Sequence, residues 1–176
     1  MTYSLDPISD NCYPDTTVLV NKLNIRDEIL LGEVEATLVT SKTVLWENDH
    51  RQKTFNFAHY RAIHQFLFED LYDWAGQIRT VDISKKGTRF CSVKDIEDLA
   101  TRIFTGLHNR KLFTKMDRRE FLSEIVEFYC NTNQLHPFRE GNGRTQRIFN
   151  KGYSLLSSST MQGTVILISQ MLMATC

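Results

Sequence analysis

The segment His136-Pro137-Phe138-Arg139-Glu140-Gly141-Asn142-Gly143-Arg144-Thr145-Gln146-Arg147 places a titratable base, a carboxylate, a glycine-flanked turn and two spaced guanidinium groups within twelve residues. Each part suits a polyphosphate. An imidazole titrating near neutral pH can take a proton from an incoming hydroxyl, and His136 is placed to do so. One carboxylate oxygen of Glu140 can hold Mg²⁺ between phosphate groups, since such sites usually need only one or two carboxylates. The Gly141-Asn142-Gly143 turn lacks side-chain bulk and leads into a helix expected to start near Arg144. Backbone N–H groups at a helix start form an anion cradle. Arg144 and Arg147, three apart, share a helix face and can grip neighbouring phosphates with forked donors. Phe138 is the expected core anchor of the loop. Taken singly, these residue types are usually structural; their density in one segment points to phosphate chemistry.

The elements that must position this segment come from a chain of 176 residues, enough for one domain with a real core. Hydrophobic residues make up 41% and charged residues 24%, ordinary for a globular protein, and the runs of helical period predict an all-α fold. A formal net charge of zero gives no overall attraction to nucleic acid or acidic membranes. Cys12, Cys91, Cys130 and Cys176 show no C-x-x-C pairing and suit reduced thiols. Residues 1–12 lack the pattern of a signal peptide, and no apolar run approaches the ~20 residues of a membrane span. The expectation is a cytoplasmic protein without direct nucleic-acid or membrane contact.

Along the chain, residues 16–23 predict a short helix and 26–40 a longer one. Ile29, Leu30, Val34, Leu38 and Val39 form the apolar face of the longer helix, with Asp27, Glu28, Glu33 and Glu35 in water. Asn56 is the expected N-cap of a helix over 57–74 closed by Gly76, with His59 and His64 as packing residues. Residues 77–93 predict a β-hairpin with a basic tip around Ser84, Lys85 and Lys86. Ser92 and Asp95 resemble a capping box opening a helix to about 109. Asp117 and Glu120 open another, which ends near Gln134 and delivers His136.

The twelve-residue segment resembles the signature of the Fic family, His-x-Phe-x-Asp/Glu-Gly-Asn-Gly-Arg-x-x-Arg, with every specified position filled. The similarity runs from about Tyr13-Pro14 to Phe149. Tyr72-Asp73-Trp74-Ala75-Gly76 and Arg79-Thr80-Val81-Asp82-Ile83 resemble the matching region of bacterial Fic toxins. The resemblance implies a Fic-type helical bundle over 1–150, with a small β-hairpin flap, at about 77–93, over the active site. It implies an adenylyltransferase that moves AMP from ATP to a hydroxyl of a target protein. His136 is then the general base, Glu140 the Mg²⁺ ligand, Gly141, Asn142 and Gly143 the phosphate cradle, and Arg144 and Arg147 the clamp on the outer phosphates. Doc-type kinases, which transfer the γ-phosphate, carry Lys where this chain has Gly143. The flap edge is expected to take up target backbone as an added strand, with Asp82, Ile83, Ser84 and Lys85 meeting the target.

Thr43-Val44-Leu45-Trp46-Glu47-Asn48 fits the short pattern of the helix that restrains many Fic enzymes, making Glu47 a candidate inhibitory residue. No Asp or Glu follows Glu140, so resemblance to the toxin branch points instead to a small separate antitoxin that brings the inhibitory glutamate. The same branch suggests type II topoisomerases as targets and filamentous cells as the outcome. One stretch departs from the pattern: residues 152–176 contain no charged side chain. They are read as an atypical, truncated or frame-altered tail. The competing reading is a non-catalytic nucleotide-binding or interaction module inactivated by that tail.

Overall fold

Three side-chain caps set where most of the helical scaffold begins. In the computed structural model, which describes residues 4–5, 11–48, 53–85, 87–113 and 116–154, the elements are β1 (Ser4–Leu5), α1 (Glu28–Glu47), α2 (Phe57–Phe68), β2 (Ile83–Lys85), β3 (Thr88–Arg89), α3 (Ile96–Asn109), α4 (Arg118–Leu135) and α5 (Asn142–Ser154). Asp27 accepts from Leu30 N–H to start α1, and Asn56 accepts from His59 N–H to start α2, each at 2.8 Å. Asp117 and Glu120 form the expected reciprocal capping box of α4. The core is aromatic. Phe149 of α5 meets Tyr60 of α2 and Phe104 of α3 edge-on at 5.4 and 5.6 Å, and Phe138 is fully buried among them. Each buried ring contributes about 2 kcal/mol or more from removed apolar surface, so the motif loop is anchored by the core it helps build.

Four expectations need correction. Residues 16–23 are not helical: the Thr16 hydroxyl donates to the Tyr13 carbonyl and accepts from Val18 N–H, while Cys12 and Leu19 form a β-bridge. Local hydroxyl bonds of this kind compete with helix formation. α1 starts later and runs to Glu47; Val34, Leu38 and Val39 pack inward as expected, but in its first turn Ile29 is 76% exposed and Leu30 49%, with Leu31 buried instead. α2 ends at Phe68 rather than near Trp74. Beyond it the chain folds back on its own helix, with Gly76 at φ +76°, its carbonyl accepting from Arg61 Nε at 2.8 Å. A Cβ at Gly76 would stand 2.8 Å from Gln65 Cβ, so only glycine fits that return. Ser92 makes no capping bond. A 3₁₀ turn, Val93–Asp95, precedes α3, and its first N–H is bonded to Asp82 at 2.8 Å.

The hairpin is present and gains a third strand. β2 pairs with β3 at Ser84–Arg89 and Lys85–Thr88, and β1 pairs antiparallel with the other edge of β2, at Ser4–Ser84 and Leu5–Ile83. Cys12, Cys91 and Cys130 are free thiols. No helix among the described residues is long and apolar enough to cross a membrane. The tip residue Lys86, Cys176 and nearly all of the uncharged tail lie outside the described residues.

Candidate active site

His136 caps α4 in the left-handed conformation (φ 39°, ψ 61°), which turns the chain sharply out of the helix. Its Nδ1 lies 2.9 Å from the Asn133 carbonyl. A carbonyl only accepts, so Nδ1 carries the proton, and Nε2 is the basic nitrogen of the neutral ring. Only 5% exposed, the ring stacks on Phe90 at 3.7 Å. Burial, with added repulsion from Arg79 and Lys85, lowers its pKa to about 4, which keeps it a neutral base at physiological pH.

The loop that follows is fixed by its own side chains. Asn142 accepts from Phe138 N–H at 2.9 Å and donates to the Phe138 carbonyl at 2.7 Å, so its buried amide clamps the loop. What Asn142 can offer a phosphate is its backbone N–H. The first turn of α5 closes with Thr145 N–H on the Gly141 carbonyl, so helix geometry leaves the N–H groups of Asn142, Gly143 and Arg144 without a carbonyl of their own helix. Gly141 sits at φ +80°, and a Cβ there would collide with the Phe68 ring. Around Gly143 there is room: the nearest atom to an added Cβ is Arg147 Nη1, at 3.8 Å.

His64, read from its helical stripe as a packing residue, also holds this loop. Gly76 N–H donates to its Nδ1 at 2.8 Å, so its Nε2–H donates to the Glu140 carbonyl at 2.9 Å. The ring stacks on Phe138 at 3.8 Å. Burial lowers its pKa to about 3, consistent with that neutral tautomer. The sequence signal was there: a histidine on a fully buried stripe must have both ring nitrogens satisfied.

Glu140 Oε1 accepts from Gly141 N–H at 2.8 Å and lies 3.3 Å from Arg144 Nη2. Among the described residues Oε2 has no hydrogen-bond partner, and Glu140 lines a cleft of about 290 Å³ with Glu35, Tyr72, Arg139 and Arg144. A part-exposed carboxylate oxygen beside an anion cradle fits a hard divalent cation such as Mg²⁺. Arg144 and the exposed Arg147 both line a second cleft, of about 320 Å³, against α1. Partial desolvation and the Arg144 charge hold the Arg147 pKa below its ordinary value, as expected where two cations converge. Glu47 lines that cleft too, but its ion-pair partner is Lys151 at 2.6 Å, one turn beyond Arg147. Glu35, expected in water, is instead paired with Arg144 at 2.6 Å.

Arg79 is the functional residue that motif reasoning undervalued. Only 3% exposed, it donates from Nε to the His136 carbonyl at 2.9 Å, from Nη1 to Val81 at 2.7 Å, and from Nη2 to Cys91. One side chain thus ties both ends of the flap to the residue carrying the base. Asp82 closes the same root: it accepts from Val93 N–H and lies 3.6 Å from Arg79, and these partners lower its pKa. Its carboxylate is therefore engaged within the chain. Ile83 points inward and is buried, while Ser84 and Lys85 are half-exposed along β2.

Comparison with known proteins agrees with this geometry. The Fic/DOC family model matches residues 54–153. The chain is 40% identical over 147 residues to the probable protein adenylyltransferase y4lH of Sinorhizobium fredii, covering 82% of this chain and 72% of that one. It is 34% identical over 139 residues to the probable protein adenylyltransferase Fic of Escherichia coli K12, covering 78% and 68%. Among solved structures, the N-terminal Fic domain of a putative cell filamentation protein from Bartonella quintana, with bound ADP, superposes with a TM-score of 0.77 at 25% identity, covering 84% of this chain and 76% of that one. With the family model spanning more than half its length and a relative 40% identical over most of both chains, the chain belongs to the Fic/DOC family.

Proposed function

We infer that His136 Nε2 accepts the proton of a target hydroxyl while that oxygen attacks the α-phosphorus of ATP. The activity, protein adenylyl transfer, is that of relatives at 34–40% identity, and the chain is a nucleotidyltransferase of that type. One bond forms, from the target oxygen to the α-phosphorus, and the bond to the bridging oxygen breaks, so pyrophosphate leaves and AMP stays on the target. The observation that carries this reading is the His136 tautomer: Nδ1–H is committed to Asn133, which makes Nε2 the base. The N–H groups opening α5 and the two arginines then hold the departing phosphates, in a site where fixed dipoles act more strongly than in water. Mg²⁺ held by Glu140 would supply charge neutralisation on those phosphates.

The flap supplies the target side. A target segment that adds along β2 replaces Ser4–Leu5 at Ile83 and Ser84, its backbone set by main-chain bonds and its hydroxyl aimed toward His136. Ser84 and Lys85, half-exposed along β2, are the flap residues that meet it, with Ile83 and Asp82 holding the strand. For regulation, the reading is a small antitoxin whose glutamate takes Arg147, since Glu47 is bonded to Lys151. A type II topoisomerase as target, with filamentation as the outcome, and a cytoplasmic setting complete the proposal.

The test is incubation of the full chain and a cell lysate with Mg²⁺ and ATP labelled at the α- or, separately, the γ-phosphate. Transfer from the α position only, lost in His136→Ala, supports the reading. Transfer from the γ position would mean kinase chemistry. No transfer from either would leave a nucleotide-binding module.

A further inference from the structure

Arg144 is gripped by a residue from outside the motif. Glu35, on α1 and ahead of the stretch matched to the family, places Oε1 2.6 Å from Arg144 Nη2. Its other oxygen accepts from the Tyr72 hydroxyl at 2.5 Å. Tyr72 is buried and stacked on Trp74 at 4.4 Å. Burial and the adjacent Glu35 charge raise the pKa of the phenol, so it stays protonated and donates. The Arg144 guanidinium also lies over the Phe68 ring at 4.8 Å. Two helices and the turn after α2 thus converge on one cation, with a carboxylate whose side chain is only 12% exposed.

Distances decide what this contact does. Both ion pairs of Arg144 end on Nη2, with Glu35 at 2.6 Å and Glu140 at 3.3 Å. Glu35 makes the closer ion pair, while Glu140 accepts the hydrogen bond from Nη2 through the same Oε1 that Gly141 N–H binds, so it is Oε2 of Glu140 that stays open to the cleft. Among the described residues, Nη1 and Nε of Arg144 have no partner, which leaves the rest of the fork for a phosphate. A carboxylate competing with nucleotide would be expected to occupy that part of the fork; Glu35, at the wall of the same cleft, holds Nη2 instead.

We propose that Glu35, oriented by Tyr72, is a positioning residue for the transfer reaction: it sets the Arg144 fork toward the triphosphate and keeps Glu140 available for its cation. This rests on the adenylyl-transfer reading. The test uses full-length Glu35→Gln, Tyr72→Phe and the double variant. It measures KM and kcat for AMP transfer, the Mg²⁺ concentration for half-maximal rate, binding of a non-hydrolysable ATP analogue with Mg²⁺, and thermal unfolding. Losing one charge-assisted contact should raise KM for ATP in Glu35→Gln by about ten-fold and weaken analogue binding to match. The half-maximal Mg²⁺ concentration should rise in parallel while kcat changes little. Tyr72→Phe should raise KM by about three-fold, and the double variant should match Glu35→Gln, because Tyr72 acts through Glu35. An unchanged KM with a lowered melting temperature would reduce Glu35 to a structural contact and overturn the proposal. A lowered KM would also overturn it, making Glu35 a competitor for Arg144. If the wild-type chain transferred no AMP but bound the analogue in a Glu35-dependent way, the activity reading would fail and the positioning role would stand.

Discussion

On one side of His136, the loop to Arg144 uses buried bonds at nearly every residue to hold one shape; on the other, the flap is fastened at Arg79 and Asp82 and exposed at Thr88 and Arg89. In the loop, the Asn142 amide, the His64 ring and the Phe138 stack leave the backbone little freedom, which suits atoms that must meet phosphates within a few tenths of an ångström. The flap has three short strands whose order comes from main-chain pairing, and such strands can exchange one partner for another. In the proposed mechanism the rigid region holds the chemistry and the adaptable one the target.

The sharpest way to break this division is to cut the bolt between its halves. Arg79→Met leaves the carbonyls of His136, Val81 and Cys91 without their donor. Chemical denaturation should show a loss of about 3–5 kcal/mol, as for other buried cations removed from their partners. If stability fell by less than about 1 kcal/mol, the flap root would not be tied to the base in the way described. Next in size is Gly141→Ala, which combines a positive φ with a collision against Phe68. It should cost about 2–3 kcal/mol and disturb nucleotide binding, whereas Gly143→Ala, with open space around it, should stay within about 1 kcal/mol. Equal costs at the two glycines would show that the loop is not held against Phe68.

A proline at Ser84 probes the other half. Ser84 pairs with both Arg89 and Ser4, so Ser84→Pro removes a ladder donor from the middle strand. Global stability should change by less than about 1 kcal/mol, because these strands lie outside the aromatic core. KM for a protein target should rise several-fold while analogue binding is unchanged. A variant that lost analogue binding would show the flap to be part of the nucleotide site.

How much of this was legible beforehand follows the same division. The motif residues announced themselves, because a base, a carboxylate, a glycine turn and spaced arginines form a local pattern. Asn56 and Asp117 were legible as caps for the same reason, since a cap bonds a backbone group two or three residues away. What stayed hidden acts over long separations. Arg79 and His64 bond carbonyls 57 and 76 residues away, and nothing in their neighbours states which ones. Glu35 reads as solvated because the apolar face of α1 is right at Val34, Leu38 and Val39 but not at Ile29 and Leu30, where the pattern turns the first turn of the helix too far. Both of those residues are exposed, and Glu35 turns inward to Arg144. The third strand was equally invisible, since two residues have no period to read.

The smallest expected effect is also a test of how His136 is held. An ordinary histidine titrates near 6.5, so a solvent-facing base would lose activity between pH 7 and 6. Burial, with Arg79 and Lys85 nearby, sets His136 at about 4. Because the folded-state pKa is depressed, the basic form persists above that value and is lost only as pH falls through about 4. With Mg²⁺ in excess, kcat/KM for AMP transfer should change by less than about two-fold between pH 8 and 5.5, as it reports the free enzyme. Stability has its own window, and the two must be separated. The unfolded chain binds protons at His64 and His136 from about 6.5 downward, while the folded chain resists until about 3 and 4. Folding stability should therefore decline as pH falls below 6.5 even while the rate per folded molecule stays level. An inflection in that rate near 6.5 would mean the imidazole faces water, and the rigid half of the comparison would lose its central residue.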